Sequence, residues 1–330
     1  MHAVVATAAG GPEVLELRDL PDPVPAPDEV LVAVRAAGVN FIDTYRRSGL
    51  YPVPYPHVVG SEGAGEVVAL GSDVAAAGEV AVGGRVAWAA SDGSYATLQR
   101  VRAADLLPVP DGVDDRVAAA LPLQGMTAHY LVRSTVPLEP GDEVLVHAAA
   151  GGVGLLLVQL AAAAGARVLA TVGSVEKEAL ARAAGAHEVV RYRELDDHTT
   201  ELPALVRDLT DGRGVRAVYD SVGRDTFDAS LASLRPRGVL VLFGASSGPV
   251  PPVDPQRLNR AGSVFLTRPS LGAYTADRAE LLGRAEELFA LVAAGRLDVR
   301  IGATFPLAEA ADAHRALEGR ATTGKVLLLP

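Results

Sequence analysis

The sequence predicts an α/β protein with a doubly wound parallel sheet and a second domain rich in β-strands. Short strands separated by proline-rich loops dominate the first ~120 residues. From Pro122 onward, apolar strands alternate with amphipathic helices. The first strand of that alternation leads into a glycine-rich turn that opens a helix. Such alternation is typical of a parallel sheet covered by helices on both faces.

The β-rich domain is predicted over residues 1–122 and is completed by residues 269–330. Its clearest strands are the apolar runs Glu29–Arg35, Gly65–Leu70 and Gly84–Trp88. Prolines at 21, 23, 25 and 27, and again at 52, 54 and 56, mark the loops between them. The last strand of the chain, at 325–329, is expected to return to this domain.

The doubly wound domain is predicted over residues 123–268. Its expected strands are Glu143–Ala148, Arg167–Val172, Val189–Tyr192, Val215–Val222, Gly238–Gly244 and Ser263–Thr267. The expected helices, including two near the end of the chain, are Leu155–Ala164 and the segments near 177–184, 203–209, 225–234, 275–294 and 307–319.

The turn between the first strand and helix of this domain is suited to a pyrophosphate. Gly151 lets the backbone approach a phosphate, and Gly154 lets the helix pack closely on the strand, while the helix start favours negative charge. Ala149 replaces the first glycine of G-x-G-x-x-G, but the strand, turn, helix and second strand span the expected ~30 residues. The turn therefore predicts a dinucleotide site; the alternative is a glycine turn in an unliganded α/β domain.

The end of the second strand bears on which nucleotide binds. A carboxylate at this position accepts hydrogen bonds from the ribose of NAD and repels a 2′-phosphate. Here Gly173 and Ser174 occupy it, with Lys177 one helical turn on. Lys177 and Lys325 are the only lysines among 30 basic residues, which points to a specific use of Lys177, although a solvated helix residue is the alternative. The pattern favours NADPH, whereas a ribose contact from Glu176 would favour NADH.

Composition limits the possible partners. A chain of 330 residues with 49% hydrophobic residues can bury a large core and divide into two domains. A net charge of −10 and a pI near 5.2 argue against a nucleic-acid or anionic-membrane surface. The apolar runs are too short for a membrane span, and the chain begins as a strand rather than a signal peptide. A cytoplasmic protein is expected.

The sequence contains no cysteine, which excludes disulfides, thiol catalysis and thiolate metal sites. Seven histidines remain, and none is spaced from another as paired metal ligands usually are. Each is expected to lie on the surface or to be hydrogen-bonded in the core. The sequence therefore predicts no structural or catalytic metal site.

Six motifs together resemble the zeta-crystallin-like NADPH:quinone oxidoreductases, a zinc-free subfamily of the medium-chain dehydrogenase/reductase superfamily. The resemblance covers the whole chain and implies a GroES-like catalytic domain, an inserted Rossmann domain, NADPH as cofactor and a homodimer. The motifs are Gly38–Tyr45, Ser48–Pro52, Gly60–Gly65, His147–Gly154, Tyr219–Gly223 and Thr267–Leu271.

The resemblance also sharpens the expectation about zinc. Asn40 stands where zinc alcohol dehydrogenases of this superfamily have a cysteine ligand, and Ser61 stands where they have a histidine before Glu62. The chain also passes from Trp88 to Tyr95 without the four-cysteine lobe. Without a Lewis acid, the resemblance implies hydride or electron delivery to an acceptor that is already electrophilic. A quinone is expected first, with reduction of an enone or alkenal, or redox-silent NADPH binding, as alternatives.

The same resemblance implies site residues. Asn40, Tyr45 and Tyr51 are expected to position the nicotinamide or substrate, or else only to tie strand ends together. An apolar edge strand at Val264–Thr267 is expected to pair with a second copy. The implied cofactor residues are Asn40, Tyr45, Thr127, Gly151, Gly152, Val153, Gly154, Gly173, Ser174, Lys177, Tyr192, Ser221, Phe243, Thr267 and Arg268 or Arg320, although Arg320 could instead only cap a helix.

Overall fold

A computed structural model describes residues 1–330 and divides them into two compact units. Unit 1 comprises residues 1–126 and 275–330, and unit 2 comprises residues 127–274. The boundaries predicted at 122 and 268 lie a few residues before these. No helix has both the length and the apolar composition needed to cross a membrane.

The elements follow in chain order. The strands are β1 His2–Ala6, β2 Leu15–Asp19, β3 Glu29–Val39, β4 His57–Val58, β5 Glu62–Leu70, β6 Arg85–Trp88, β7 Leu98–Arg102, β8 Leu107–Pro108, β9 Glu143–Val146, β10 Arg167–Val172, β11 Glu188–Arg191, β12 Val215–Asp220, β13 Leu234–Leu242, β14 Phe265–Thr267, β15 Ile301–Pro306 and β16 Lys325–Leu329. The helices are α1 Phe41–Arg47, α2 Ser72–Ala77, α3 Asp115–Ala120, α4 Pro122–Tyr130, α5 Gly152–Ala163, α6 Val175–Ala183, α7 His198–Leu209, α8 Phe227–Ser233, α9 Pro255–Arg260, α10 Arg278–Ala293 and α11 Ala310–Glu318.

Unit 1 is built on a seven-stranded sheet and a smaller three-stranded one. The larger sheet has the order β15-β16-β3-β5-β6-β8, with β7 also pairing with β3, and the smaller has the order β2-β1-β4. The C-terminal strand β16 pairs with β3, with Val326 opposite Val39, so the end of the chain completes this unit. Unit 1 is β-rich as predicted, but it also contains the short helices α1 to α3.

Unit 2 is the predicted doubly wound domain. Its six strands are all parallel and have the order β11-β10-β9-β12-β13-β14. The strands on either side of β9 are wound in opposite directions, which creates a switch point where open α/β sheets bind ligands at the carboxyl ends of their strands. The predicted fold class is confirmed by this topology and by the β-rich character of unit 1.

Several element boundaries differ from the prediction for local reasons. Helix α7 begins at His198 rather than near 203, because the Asp197 side chain caps it by accepting from Thr199 N; Pro203 lies inside the helix and does not start it. Strand β12 stops at Asp220, two residues early. The Asp220 carboxylate accepts hydrogen bonds from two amides just beyond and turns the chain there.

Candidate functional site

The glycine turn lies at the carboxyl end of β9, beside the switch point. Gly151 is the N-cap of α5, and the amides of Gly152, Val153 and Gly154 are the first of that helix, where no intrahelical acceptor exists for them. A Cβ on Gly154 would overlap Ala148 O and lie 2.8 Å from the neighbouring Cα of the turn. The turn thus presents three open amides at a helix start, which suits a pyrophosphate.

The alanine at the first glycine position of the motif is explained by the backbone. Ala149 is buried, and its amide donates to Thr171 O at 3.1 Å. The left-handed conformation falls one residue earlier, at Ala148, whose φ is 50°. Because Ala149 itself does not need a positive φ, a glycine is not required there.

A buried hydrogen-bond network lies beneath this turn. Ser230 Oγ donates to Asp220 Oδ2 at 2.7 Å, so its oxygen accepts from His147 Nε2 at 3.0 Å. Burial lowers the pKa of His147 and so favours a neutral imidazole. With its proton on Nε2, the neutral ring accepts at Nδ1 from Thr171 Oγ1 at 2.9 Å. The network links β9, β10, β12 and α8 below the predicted cofactor edge, and His147 is a satisfied core histidine.

The residues predicted for the adenosine 2′-phosphate come together at the ends of β10 and β11. Ser174 caps α6 by accepting from Lys177 N at 3.4 Å. A Cβ on Gly173 would lie 3.1 Å from Tyr192 Oη and 3.4 Å from Arg193 Nε. Arg193, which directly follows Tyr192 in the chain, lies at the same place and is not among the predicted residues. Besides Arg191, which pairs with Glu178 and Glu194, this end of unit 2 therefore carries Lys177 and Arg193, and neither β10 nor β11 ends in a carboxylate.

Glu176 is the acid that could favour NADH. It is fully exposed at the first turn of α6, and a hydrogen bond from the Ser174 side chain lowers the pKa of its carboxyl. Glu176 is thus engaged with its own helix start. The end of β10 therefore has no carboxylate that the strand itself holds in position for a ribose.

The remaining predicted residues of unit 2 follow the same edge of the sheet. Ser221 directly follows β12, and Phe243 N donates to Asp220 O at 2.8 Å, which sets the ends of β12 and β13 side by side. Thr267 ends β14 and is in register with Val241 of β13. Arg268 Nη1 donates to Pro269 O at 3.2 Å. The edge thus runs from Gly173 through the glycine turn to these residues. Thr127, the remaining predicted residue of unit 2, is buried and lies in α4.

In unit 1, Asn40 is the centre of a buried polar cluster. Its Nδ2 donates to Glu62 Oε2 at 2.9 Å and to Gly38 O at 3.3 Å. Its Oδ1 accepts from Lys325 Nζ at 2.8 Å and from Gln124 Nε2 at 3.3 Å. The amide is thus saturated and 3% exposed, which favours a role in positioning neighbouring elements over direct contact with a ligand.

A second buried network continues from Asp43. Its carboxylate accepts from Asn40 N at 2.9 Å, Ser61 Oγ at 2.7 Å and Tyr95 Oη at 3.0 Å. Tyr95 Oη also contacts His314 Nε2 at 3.2 Å. Burial raises the pKa of Asp43 to about 6, against the hydrogen bonds and Lys325, which lower it. Burial lowers the pKa of His314 to about 3, and Arg47 beside it acts in the same direction.

Tyr45 and Tyr51 form an aromatic surface beside this network. Their ring centroids are 5.4 Å apart in an edge-to-face arrangement, and Phe41 lies 6.1 Å from Tyr45. Tyr51 is 40% exposed. Arg320 follows α11 with a φ of 55°, and its amide donates to Leu317 O at 3.1 Å. Its backbone therefore ends that helix, as the capping alternative expects.

The residues at the positions that resemble zinc ligands, and the neighbouring Glu62, are engaged in other interactions. Glu62 pairs with Lys325, and Ser61 donates to Asp43. No group of three or more His, Asp or Glu side chains is arranged to hold a metal ion. His57 is the only residue with a buried side-chain polar atom that has no hydrogen-bond partner, at Nε2.

Comparisons with known proteins cover the whole chain. Family models for an alcohol dehydrogenase GroES-like domain and a zinc-binding dehydrogenase match residues 26–111 and 152–284. A quinone oxidoreductase of Pseudomonas aeruginosa is 48% identical over 98% of each chain. A 2-haloacrylate reductase of a Burkholderia species is 40% identical, over 99% of this chain and 98% of the relative.

Two solved structures extend the comparison to three dimensions. A mycobacterial protein in complex with NADPH is 52% identical and matches with a TM-score of 0.97, covering 100% of both chains. The quinone oxidoreductase of Escherichia coli, also in complex with NADPH, is 43% identical and matches with a TM-score of 0.96, again over 100% of both chains.

Proposed function

Because the chain belongs to the quinone oxidoreductases of the medium-chain dehydrogenase/reductase superfamily, we propose that it reduces a quinone with NADPH and without a metal ion. The observation that carries this proposal is the carboxyl edge of the unit 2 sheet. It joins three open amides at the start of α5 to a strand end that has Gly173, Ser174 and Lys177 in place of an acid. This set fits a dinucleotide with a 2′-phosphate.

NADPH would supply a hydride from C4 of its nicotinamide ring. The amides of Gly152 and Val153 would bind the pyrophosphate, and Lys177, Tyr192 and Arg193 would bind the 2′-phosphate. The other predicted residues of unit 2 would orient the ribose and nicotinamide: Thr127, Ser221, Phe243, Thr267 and Arg268. Arg320, in unit 1, is proposed for the same role.

The acceptor would meet the aromatic surface of unit 1. The rings of Tyr45 and Tyr51 are suited to stacking against a flat conjugated acceptor. Asn40 would act by holding the start of the helix that carries Tyr45, since its amide is already saturated. A quinone needs no Lewis acid to become electrophilic, which agrees with the absence of ligand residues at the two positions that resemble zinc ligands.

A conjugated alkene is the second acceptor to consider. The 40% identity to a 2-haloacrylate reductase supports it, because that relative is named for an alkene substrate. A quinone and an enone both present an electrophilic carbon conjugated with a carbonyl, so the same cofactor placement would serve either. The higher identity to relatives named for quinones favours the quinone.

Anaerobic consumption of NADPH by the purified protein tests the proposal. A small ortho-quinone and a 2-alkenal are compared in parallel, each with a protein-free control that removes the direct reaction of NADPH with the acceptor. Faster protein-dependent loss with the quinone is expected. Turnover of the alkenal alone would assign the protein to double-bond reduction, and NADPH binding without turnover of either would indicate a redox-silent protein.

We further propose a homodimer formed through the sheet edge at β14. Phe265 on this edge strand is 60% exposed, and an apolar edge strand can pair with a second copy. Light scattering at micromolar concentration should give twice the single-chain mass of 34.0 kDa, and the single-chain value would contradict the dimer. A dependence on NADPH also supports a cytoplasmic location, which cell fractionation would test.

A further inference from the structure

A buried ion pair lies in the core of unit 1, and neither of its members is among the residues predicted to contact the cofactor or the acceptor. Lys325 Nζ and Glu62 form an ion pair in which the side chains are 1% and 0% exposed. The two residues are 263 positions apart and lie on β16 and β5. Burying two charges is costly unless each is fully hydrogen-bonded, so a pair this deep calls for a reason beyond stability.

Each member of the ion pair also forms a hydrogen bond to a residue at the start of a helix. Lys325 Nζ also donates to Asn40 Oδ1 at 2.8 Å, and Asn40 is the N-cap of α1. The second oxygen of the glutamate, Glu62 Oε1, accepts from Leu123 N at 2.7 Å, in the first turn of α4. One ion pair therefore anchors the beginnings of two helices.

The backbone makes room for this pair. A Cβ on Gly38 would overlap Glu62 Oε2 and lie 2.7 and 2.8 Å from Lys325 Cε and Nζ. Lysine suits the space because its ammonium is a compact point charge on a slender stem, whereas a guanidinium is broad and planar. In a chain with only two lysines among 30 basic residues, this position uses one of them.

We propose that Lys325 is a positioning residue for the reductase reaction: its buried ammonium takes the place of a metal ion as the local cation and, through Asn40 and Glu62, holds the starts of α1 and α4. Asn40 and Ser61 occupy positions that resemble metal ligands, and the ammonium binds the first of them together with Glu62. The two helices carry Tyr45 and Thr127, which the proposed function assigns to the acceptor and cofactor. The inference rests on that function.

Two variants separate positioning from stability. Lys325→Met alone would leave the buried Glu62 carboxylate without a counter-charge and destabilise the fold. The informative variant is therefore the double substitution Lys325→Met with Glu62→Gln, in which both side chains are uncharged. Its kcat is expected to fall about tenfold to hundredfold, as small misplacements of reacting groups do. The dissociation constant for NADPH should change little, because the phosphate contacts lie in unit 2. Leu328→Ala, in the same strand and the apolar core, is the control for destabilisation.

The outcomes are distinct. A kcat close to wild type in the folded double variant would overturn the inference, as would an equal fall in Leu328→Ala at matched loss of thermal stability. If the double variant does not fold, Gln124→Leu removes one donor to Asn40 without leaving a buried charge. A lowered kcat in this variant is expected, and an unchanged kcat would overturn the inference.

A spectroscopic measurement needs no variant. Protein labelled with ¹⁵N at the lysine ζ position gives only two signals, from Lys177 and Lys325. The hydrogens of the Lys325 ammonium are expected to exchange slowly with solvent, because the ammonium and its hydrogen-bond partners Asn40 and Glu62 are all buried. Two rapidly exchanging signals would refute the buried cation. If wild-type protein reduces neither acceptor, the proposed function fails, while this readout still decides where Lys325 lies.

Discussion

Asp43→Asn tests the buried network of unit 1 through its pH dependence. Burial raises the pKa of Asp43 from 3.8 to about 6. Between these values the folded protein binds a proton that the unfolded chain does not, so this carboxyl makes the fold more stable as the pH falls from 6 to 4. A difference of about two pKa units corresponds to about 3 kcal/mol in the free energy of unfolding. The asparagine variant lacks this titration.

The assay follows unfolding through a reporter that lies in unit 1. Trp88 is the only tryptophan, is fully buried in that unit, and donates from Nε1 to Ser94 Oγ at 2.8 Å. Urea unfolding is therefore monitored by tryptophan fluorescence at pH 7, 6, 5 and 4 and at constant ionic strength. Asp111→Asn, at an exposed turn, controls for the loss of one carboxylate.

The stability of wild type relative to Asp43→Asn should rise by about 2 kcal/mol from pH 7 to pH 4, less than the full difference of about 3 kcal/mol because the carboxyl of the unfolded chain is itself partly protonated at pH 4. Taking the difference between the two proteins cancels the titration of other groups, provided that the network keeps its geometry. A difference that is constant over this range would show that Asp43 titrates in the fold as it does in the unfolded chain. A difference that decreases as the pH is lowered would show that the hydrogen bonds to the carboxylate outweigh the effect of its burial.

Three further predictions use the same reasoning. For His314→Gln, the stability of wild type relative to the variant should fall as the pH is lowered, which is the opposite of the Asp43 result. Because the pKa of His314 is lowered from 6.5 to about 3, wild type should lose about 3 kcal/mol in the free energy of unfolding relative to the variant by pH 4, as measured in the urea assay. Lys177→Met should raise the Kd for NADPH about tenfold or more and leave that for NADH nearly unchanged, and equal losses in fluorescence titrations would contradict the phosphate assignment. Gly154→Ala should lower both thermal stability and NADPH affinity, because the new Cβ would overlap Ala148 O; unchanged values in both assays would contradict the close packing.

The unit 2 fold could be predicted because its signals are local. Strand β10 has the bounds predicted, Arg167–Val172, since a buried parallel strand is a continuous apolar run with turns on either side. The helix expected at Leu155–Ala164 begins three residues earlier, at Gly152, because glycines at a helix start carry no apolar periodicity. The β-rich character of unit 1 was also predictable, although its short helices were not, since six or seven residues give little periodic pattern.

The polar interior of unit 1 could not be predicted from local patterns. Asn40 is predicted to lie near the nicotinamide, but the saturation of its amide depends on Lys325, Gln124 and Glu62, which lie far away in the chain. In the sequence, Lys325 stands out only as one of two lysines. Such contacts arise when β16 pairs with β3, a pairing that no short-range pattern specifies.

The two units use buried polar groups in the same way, and this explains which groups remain for ligands. In unit 2, Asp220 and His147 are saturated beneath the sheet edge, so the amides of α5 above them are the groups left without partners. In unit 1, Asn40 and Glu62 are hydrogen-bonded to each other and to Lys325, and we propose that the acceptor stacks on the ring of Tyr51, which is 40% exposed. Each buried network holds backbone turns in place without competing for a ligand. A neutral substitution within either network should therefore impair turnover more than it impairs cofactor binding, because it shifts positions and removes no contact to the cofactor.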